Sequence, residues 1–116
     1  MVPVGKSIAL SIEADHVLLP QETASGVAMV VCELVTNALK HAFAGRDSGS
    51  VRVVFARGVE HHTVSVSDDG IGFNPEHANG FGLQIVQTTV AQKLHSRVSI
   101  VPLACGTTVT FDCKAE

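Results

Sequence analysis

Residues 33–43 read Glu-Leu-Val-Thr-Asn-Ala-Leu-Lys-His-Ala-Phe and lie inside a helical pattern over residues 24–44. Residues 21–23, which follow Pro20, form a turn that could open the helix. From Val27 to Phe43 the helix is almost wholly apolar, apart from Glu33, Asn37, Lys40 and His41. Offsets of four, three and one place these side chains on a single stripe of a regular helix. Since the rest of the helix is apolar, we expect the stripe to face an interior or a cleft, where an unpaired carboxylate or amide costs roughly 1 to 3 kcal/mol. The alternative is that the stripe is the solvent-exposed face of an amphipathic helix.

Short strands and a second helix surround this segment. The pattern predicts a second amphipathic helix that begins near Gly82, and strands over residues 7–12, 51–56, 63–67, 97–101 and 107–113. The second and third strands are expected to form a hairpin. This order predicts an α/β fold, a two-layer sandwich with helices on one face of the sheet. At 116 residues, the chain is expected to be a single domain over residues 1–116.

Asp68 ends a predicted strand and is followed by Asp-Gly-Ile-Gly. Because side chains alternate across a sheet, Asp68 shares a face with Val64 and Val66, the expected core residues. An inward carboxylate needs hydrogen-bond donors, and the exocyclic amine of a base with nearby hydroxyls would supply them. Gly70 and Gly72 would let the loop approach a ligand closely, whereas the alternative is an ordinary Asp-Gly turn.

Two further glycine-containing segments carry candidate ligand contacts. Gly80 and Gly82 precede the second helix, whose first backbone N–H groups, near Leu83, are suited to phosphate oxygens; the alternative is a plain loop and N-cap. Thr107 follows Gly106 and alternates with Val109 and Phe111 along the last strand. Its hydroxyl is therefore expected on the same face of the sheet as these apolar side chains, the core face. There it bonds a ligand or a buried water, or it is an ordinary β-branched strand residue.

Composition limits the class of protein. The chain is 46% hydrophobic and 16% charged with a formal net charge of -3, which is typical of a globular domain and provides no basic surface for nucleic acid. The longest apolar run, residues 27–32, is far shorter than the roughly 20 residues of a membrane helix. We therefore expect a cytoplasmic domain that contacts neither nucleic acid nor a membrane directly.

The cysteine and histidine positions do not predict a metal site. The three cysteines, at positions 32, 105 and 113, are an odd number without metal-ligand spacing, and Cys32 is expected to be buried in its apolar run. His61 and His62 are expected at the surface in the hairpin turn, and His95 at the surface near a helix end. Two adjacent histidines alone lack a closed ligand set.

Taken in order, these segments resemble the Bergerat-fold (GHKL) ATPase superfamily, which includes histidine kinases, type II topoisomerases and certain heat-shock chaperones. Residues 33–43 are similar to its N box, residues 68–72 to its G1 box, residues 80–83 to its G2 box and Gly106-Thr107 to its terminal Gly-Thr element. The N box is most similar to that of sensor histidine kinases with variant dimerisation domains. The resemblance implies the catalytic ATP-binding domain of such a kinase, with a mixed, mostly antiparallel sheet covered on one face by helices.

The resemblance also assigns nucleotide contacts residue by residue. It implies that Asp68 accepts the adenine amine, assisted by Thr107 through water. It implies that Asn37 coordinates the Mg²⁺ that bridges the phosphates. The two loops and the start of the second helix would hold the nucleotide, through Gly70, Gly72, Gly80, Gly82 and Leu83.

Three residues are implied in catalysis. Glu33 would polarise the reacting group or order the water shell of the metal, and Lys40 or His41 would contact phosphates. Such a layout suits phosphoryl transfer, which needs positioning and charge neutralisation more than covalent help from the protein. The sequence departs from the pattern of the family at two places near the loop that would cover ATP. Residues 73–79 are short for such an ATP lid, and residues 94–97 lack the glycines often found after the G2 helix.

The implied function is to bind ATP with Mg²⁺ and to donate the γ-phosphoryl group to a histidine on a separate dimerisation domain. A response regulator would be the next partner in two-component signalling. The residues before Ile8 leave no room for a histidine-bearing hairpin, so the chain is expected to be the catalytic part of a kinase. The alternatives are an anti-sigma-factor-like serine kinase, which shares the three boxes, and a non-catalytic nucleotide-binding or docking module.

Overall fold

The computed structural model describes residues 7–43, 47–70, 83–103 and 105–115. Within these residues the strands are β1 Ser7–Ala14, β2 Ser48–Ala56, β3 His61–Asp68, β4 Ser99–Pro102 and β5 Thr107–Lys114. The helices are α1 Gln21–Asn37, which continues into a π-helical turn at Ala38–Ala42, and α2 Leu83–Lys93. The predicted order of elements is confirmed. Neither α-helix of the described part is long and apolar enough to cross a membrane.

The strands form one mixed sheet in the order β1-β2-β3-β5-β4. β1 runs parallel to β2, and the three other pairings are antiparallel. The predicted hairpin is confirmed, because β2 pairs with β3 and places Val51 opposite Asp68. On its other side, β3 pairs with β5 and places Asp68 opposite Thr107. β3 is therefore an inner strand, and its last residue has a paired neighbour on each side.

The buried strand residues share one face of the sheet, as the period of two along a strand requires. They are Val51, Val53, Val64, Val66, Phe111 and Cys113. The two helices close this face with Val27, Val30, Leu34, Val86, Val90 and Leu94. Each of these aliphatic side chains contributes roughly 1.5 to 3 kcal/mol by leaving water. The expectation of a two-layer sandwich with helices on one face is therefore confirmed.

The first helix differs from the prediction at its C-terminal end. It begins at Gln21, in the turn that could open it, after Pro20, whose φ of -56° is compatible with the first turn of a helix. At its other end the helix widens into the π-helical turn Ala38–Ala42. Ala38 and Phe43 are both buried, at 8% and 1% exposure, and their spacing of five residues matches one i→i+5 turn rather than an α-helical one. Burial of Phe43 thus favours the wider turn.

Two surface assignments were wrong. β3 already includes His61 and His62, and His62 is only 5% exposed because it continues the inward alternation of the strand. Its Nδ1 accepts a hydrogen bond from the Gly58 N–H at 3.1 Å. Cys32, expected to be buried, is exposed, because it lies on the side of α1 away from the core positions Val30 and Leu34. His61 and His95 are exposed, as expected.

Candidate functional site

A carboxylate and a hydroxyl lie opposite each other where β3 ends and β5 begins. Asp68 and Thr107 are direct partners in the antiparallel register, and both fall on the face that carries the core. Thr107 is 6% exposed, and Asp68 is partly buried. Since opposed residues bring their Cβ atoms to roughly 4.5 to 5.5 Å, the two side chains can act on one ligand.

The Asp68 carboxylate is oriented by the loop that follows it. Its Oδ1 accepts a hydrogen bond from the N–H of Gly70 at 3.0 Å, the side-chain-to-backbone bond of an Asx turn. Gly70 itself is buried. The direction of the carboxylate is therefore set by the first glycine of the loop.

Gly106 brings the turn before β5 against the end of β3. Its φ of 105° lies in the region that side-chain-bearing residues rarely adopt, and a Cβ on this residue would overlap the carbonyl oxygen of Asp68. The Gly106 carbonyl in turn accepts a hydrogen bond from the Leu103 N–H at 3.0 Å. Glycine at this position thus permits the close approach that places Thr107 beside Asp68.

The helical stripe is divided between two kinds of helix. Glu33 and Asn37 lie four residues apart on α1 and are partly buried, whereas Lys40 lies in the π-helical turn and is exposed. The wider turn changes the angular step after Asn37, so Lys40 does not continue the α-helical spacing of Glu33 and Asn37. The backbone of His41 belongs to the same turn, and its side chain lies outside the described part of the structure.

The second glycine segment is described only in part. Gly72, Gly80 and Gly82 lie outside the described residues. The backbone of α2 begins at Leu83, directly after this segment, as expected. Among the described residues, no group of three or more His, Cys, Asp or Glu side chains could hold a metal ion.

A further contact at the end of β3 was missed from the sequence. Asp69 accepts hydrogen bonds from the backbone N–H of Ser50 at 2.8 Å and from its hydroxyl at 3.1 Å. The hairpin register, with Val51 opposite Asp68, was the signal that could have identified this pair. That register depends on the exact strand ends, which the sequence pattern left open.

Comparison with known proteins places this geometry in a family. The family model "Histidine kinase-, DNA gyrase B-, and HSP90-like ATPase" matches residues 22–116. Blue-light-activated histidine kinase 2 of Erythrobacter litoralis is 36% identical over 112 residues, which cover 91% of this chain and 32% of the relative. Serine-protein kinase RsbW of Listeria monocytogenes is 33% identical over 75 residues, covering 65% of this chain and 47% of the relative.

A solved structure has the same architecture. The blue-light activated histidine kinase of Erythrobacter litoralis superposes with a TM-score of 0.86 at 32% identity. The match covers 94% of this chain and 36% of that structure. The present chain thus spans about a third of the light-activated kinase that it resembles.

Proposed function

The chain belongs to the histidine kinase-, DNA gyrase B- and HSP90-like ATPase family, and we propose that it binds ATP with Mg²⁺ and donates the γ-phosphoryl group to a histidine of a separate dimerisation domain. The observation that carries this proposal is the pairing of Asp68 with the buried Thr107 at one end of the sheet. A carboxylate and a hydroxyl that lie opposite each other can both contact one polar ligand, and adenine offers an amine donor together with ring-nitrogen acceptors.

The adenine end of the ligand fits the residues present. Asp68 would accept the exocyclic amine, and the Thr107 hydroxyl would reach the base through a water molecule. The turn at Gly106 leaves no room for a side chain beside Asp68, so backbone forms this wall of the site. A charge-assisted hydrogen bond to Asp68 contributes roughly 1.5 to 3 kcal/mol and would favour adenine over a base with a carbonyl at that position.

The phosphate end would lie along the first helix. Asn37 offers a neutral amide oxygen, the kind of hard ligand that Mg²⁺ accepts beside phosphates and water. Glu33, one helical turn earlier, would order the water shell or polarise the reacting group. When bound, ATP would supply the transferable phosphoryl group, and Mg²⁺ would neutralise the charge that develops during transfer. The other residues proposed to contact the nucleotide are Lys40, His41, Gly70, Gly72, Gly80, Gly82 and Leu83.

The acceptor and the subsequent partner follow from the histidine-kinase relatives. In the proposed step, the bond between the γ-phosphorus and its bridging oxygen breaks and ADP leaves, while an imidazole nitrogen of the acceptor forms a bond to the phosphorus. The phosphoryl group would then pass to a response regulator. Without a tether, transfer is bimolecular and lacks the effective concentration, often about millimolar, that a linker provides.

The test combines binding and transfer. Calorimetry should detect ATP and ADP binding that strengthens with Mg²⁺. Labelled ATP should then give slow transfer to a separately supplied histidine-bearing helical hairpin, at a rate that rises with hairpin concentration. The label should be lost in acid and survive base, as phosphohistidine does. Absence of nucleotide binding would rule out the proposal.

A serine kinase is the second candidate, because the match to serine-protein kinase RsbW covers 65% of the chain at 33% identity. The same experiment separates the two functions. Phosphoserine survives acid and is lost in base, so an acid-stable label on a small protein partner would favour the serine kinase. Nucleotide binding without transfer to either acceptor would favour a docking module.

A further inference from the structure

Asp68 and Asp69 are adjacent carboxylates with different surroundings. Asp68 lies on the core face beside Thr107, whereas Asp69 contacts Ser50, an exposed residue at the start of β2. The Ser50 N–H donates to Asp69 Oδ1 at 2.8 Å, and the Ser50 hydroxyl donates to Oδ2 at 3.1 Å. The Asp69 N–H donates back to the Ser50 carbonyl at 3.3 Å. Three hydrogen bonds therefore join these two residues.

This exchange marks the point where the chain leaves the sheet. In a continued antiparallel ladder, every second pair of opposed residues exchanges two backbone hydrogen bonds. Here the Asp69 N–H makes one of them, and the Asp69 carboxylate takes the place of the backbone carbonyl in the other. The side chain thus completes the ladder while the main chain turns into the glycine loop at Gly70.

The anchor residue is itself fixed by packing. Gly49 precedes Ser50, and a Cβ on Gly49 would overlap the ring of Phe43, which is 1% exposed at the end of the π-helical turn. The same hypothetical Cβ would lie 3.1 Å from Asp69 Oδ1. The start of β2 is therefore held between a buried aromatic ring and the Asp69 carboxylate.

A short path leads from this anchor to the carboxylate of the site. Asp69 fixes where Gly70 begins, and the Gly70 N–H holds Asp68 Oδ1 at 3.0 Å. We infer that Asp69 is a positioning residue, which acts through Gly70 to aim the Asp68 carboxylate at the amine of an adenine base. This inference rests on the proposed function, because it gives Asp68 the adenine contact.

A second carboxylate provides a matched control. Asp112 Oδ1 accepts a hydrogen bond from the Thr63 hydroxyl at 3.1 Å across β3 and β5. Like Asp69 and Ser50, this pair joins two strands through a carboxylate and a hydroxyl. Thr63 lies five residues along β3 from Asp68, and neither Thr63 nor Asp112 belongs to the path through Asp69 and Gly70. Asp112→Ala therefore removes a cross-strand contact without touching the proposed path.

The experiment compares ADP with inosine diphosphate, which carries a carbonyl where adenine carries its amine. Asp69→Ala should lower the preference for ADP by about threefold or more, the value of one modest hydrogen bond. Asp69→Asn keeps oxygen and nitrogen atoms that can meet both Ser50 groups, so it should restore most of the preference. Ser50→Ala removes only the hydroxyl bond and should lower the preference slightly.

The ratio of the two dissociation constants separates positioning from loss of stability. A variant that only unfolds more easily weakens both ligands equally and leaves the ratio unchanged, as we expect for Asp112→Ala. A wild-type ratio in Asp69→Ala, or an equal fall in Asp112→Ala, would overturn the inference while the proposed function stands. Wild-type protein that binds neither diphosphate would instead overturn the proposed function. Circular dichroism checks that each variant is folded. If Asp69→Ala does not fold, the ratio of the two dissociation constants is measured for Ser50→Ala instead.

Discussion

At the residue scale, the Asp68 carboxylate is the group on which nucleotide recognition is expected to depend. Asn in its place exchanges an acceptor oxygen for an NH₂ group, which would face the adenine amine. We expect Asp68→Asn to weaken ADP binding by about tenfold or more, because a charge-assisted hydrogen bond contributes roughly 1.5 to 3 kcal/mol. Calorimetry measures the affinity, with Asp112→Asn as the control. Equal ADP affinity in wild type and Asp68→Asn would refute the assignment.

Asn37 is expected to link the metal to the nucleotide. It is partly buried at the last residue of α1, so Asn37→Ala should leave the fold intact. ATP should bind wild type more tightly with Mg²⁺ than without it, and Asn37→Ala should lose most of this difference because it removes the proposed metal ligand. The control is Cys32→Ala, an exposed position on the same helix. If Mg²⁺ dependence is the same in Asn37→Ala as in wild type, the metal does not bind at this helix.

At the scale of single elements, the end of α2 contains a left-handed residue. His95 follows the helix with a φ of 53°, a region in which side-chain-bearing residues are strained. Glycine relieves the strain but adds freedom to the unfolded chain, so we expect His95→Gly to raise the free energy of unfolding by ~0.5 kcal/mol. His95→Val, which is β-branched, should lower it by roughly 1 kcal/mol or more. Urea denaturation of both variants gives the two values, and a destabilised His95→Gly would contradict this interpretation.

The sequence predicted strands better than helix details, for a geometric reason. Alternation along a strand has a period of exactly two, so Asp68 and Thr107 could be placed on the core face once their strands were recognised. The direction in which each helix side chain points is less constrained by the local sequence pattern. The π-helical turn after Asn37 depends on burial of Phe43 against Gly49, a contact between distant segments that no local pattern contains. The predicted stripe therefore did not extend to Lys40.

The remaining errors also come from tertiary context. His62 is buried because the pairing of β3 with β5 extends to its partner Cys113, beyond the point where a turn was expected. Cys32 lies in an apolar run, but the side of α1 that enters the core is set by the sheet beneath it. The Asp69–Ser50 contact likewise depends on the register of the hairpin.

At the scale of the whole molecule, burial divides the cysteines into two classes. Cys32 and Cys105 are exposed, whereas Cys113 is buried in the core. Burial, with a smaller contribution from the charge of Asp112, raises the pKa of the Cys113 thiol above its ordinary value of 9.0. A thiol reagent should therefore label Cys32 and Cys105 rapidly and Cys113 only after unfolding. Mass spectrometry of the labelled peptides checks this, and rapid labelling of Cys113 in folded protein would contradict its burial.

The same thiol gives stability a dependence on pH. Above about pH 9 the unfolded chain loses the Cys113 proton while the folded chain keeps it, so the folded state binds more protons. This contribution to stability is fully present below that pH and is lost as the pH rises. We expect Cys113→Ala to have a shallower decline in the free energy of unfolding above pH 9 than wild type does. Cys105→Ala, which removes an exposed thiol, should keep the wild-type slope.

The inner position of β3 determines which parts of the molecule can open independently. Among the strands that the structure describes, β1 and β4 at the edges have a neighbour on one side only, so their amide protons should exchange with solvent through local fraying. β3 is protected from both sides, and its amides should exchange only when the whole domain unfolds. The Asp68–Thr107 pair lies between two inner strands, so it should persist in partially opened states. A domain frayed at its edge strands would therefore keep Asp68 and Thr107, the proposed adenine contacts, in register.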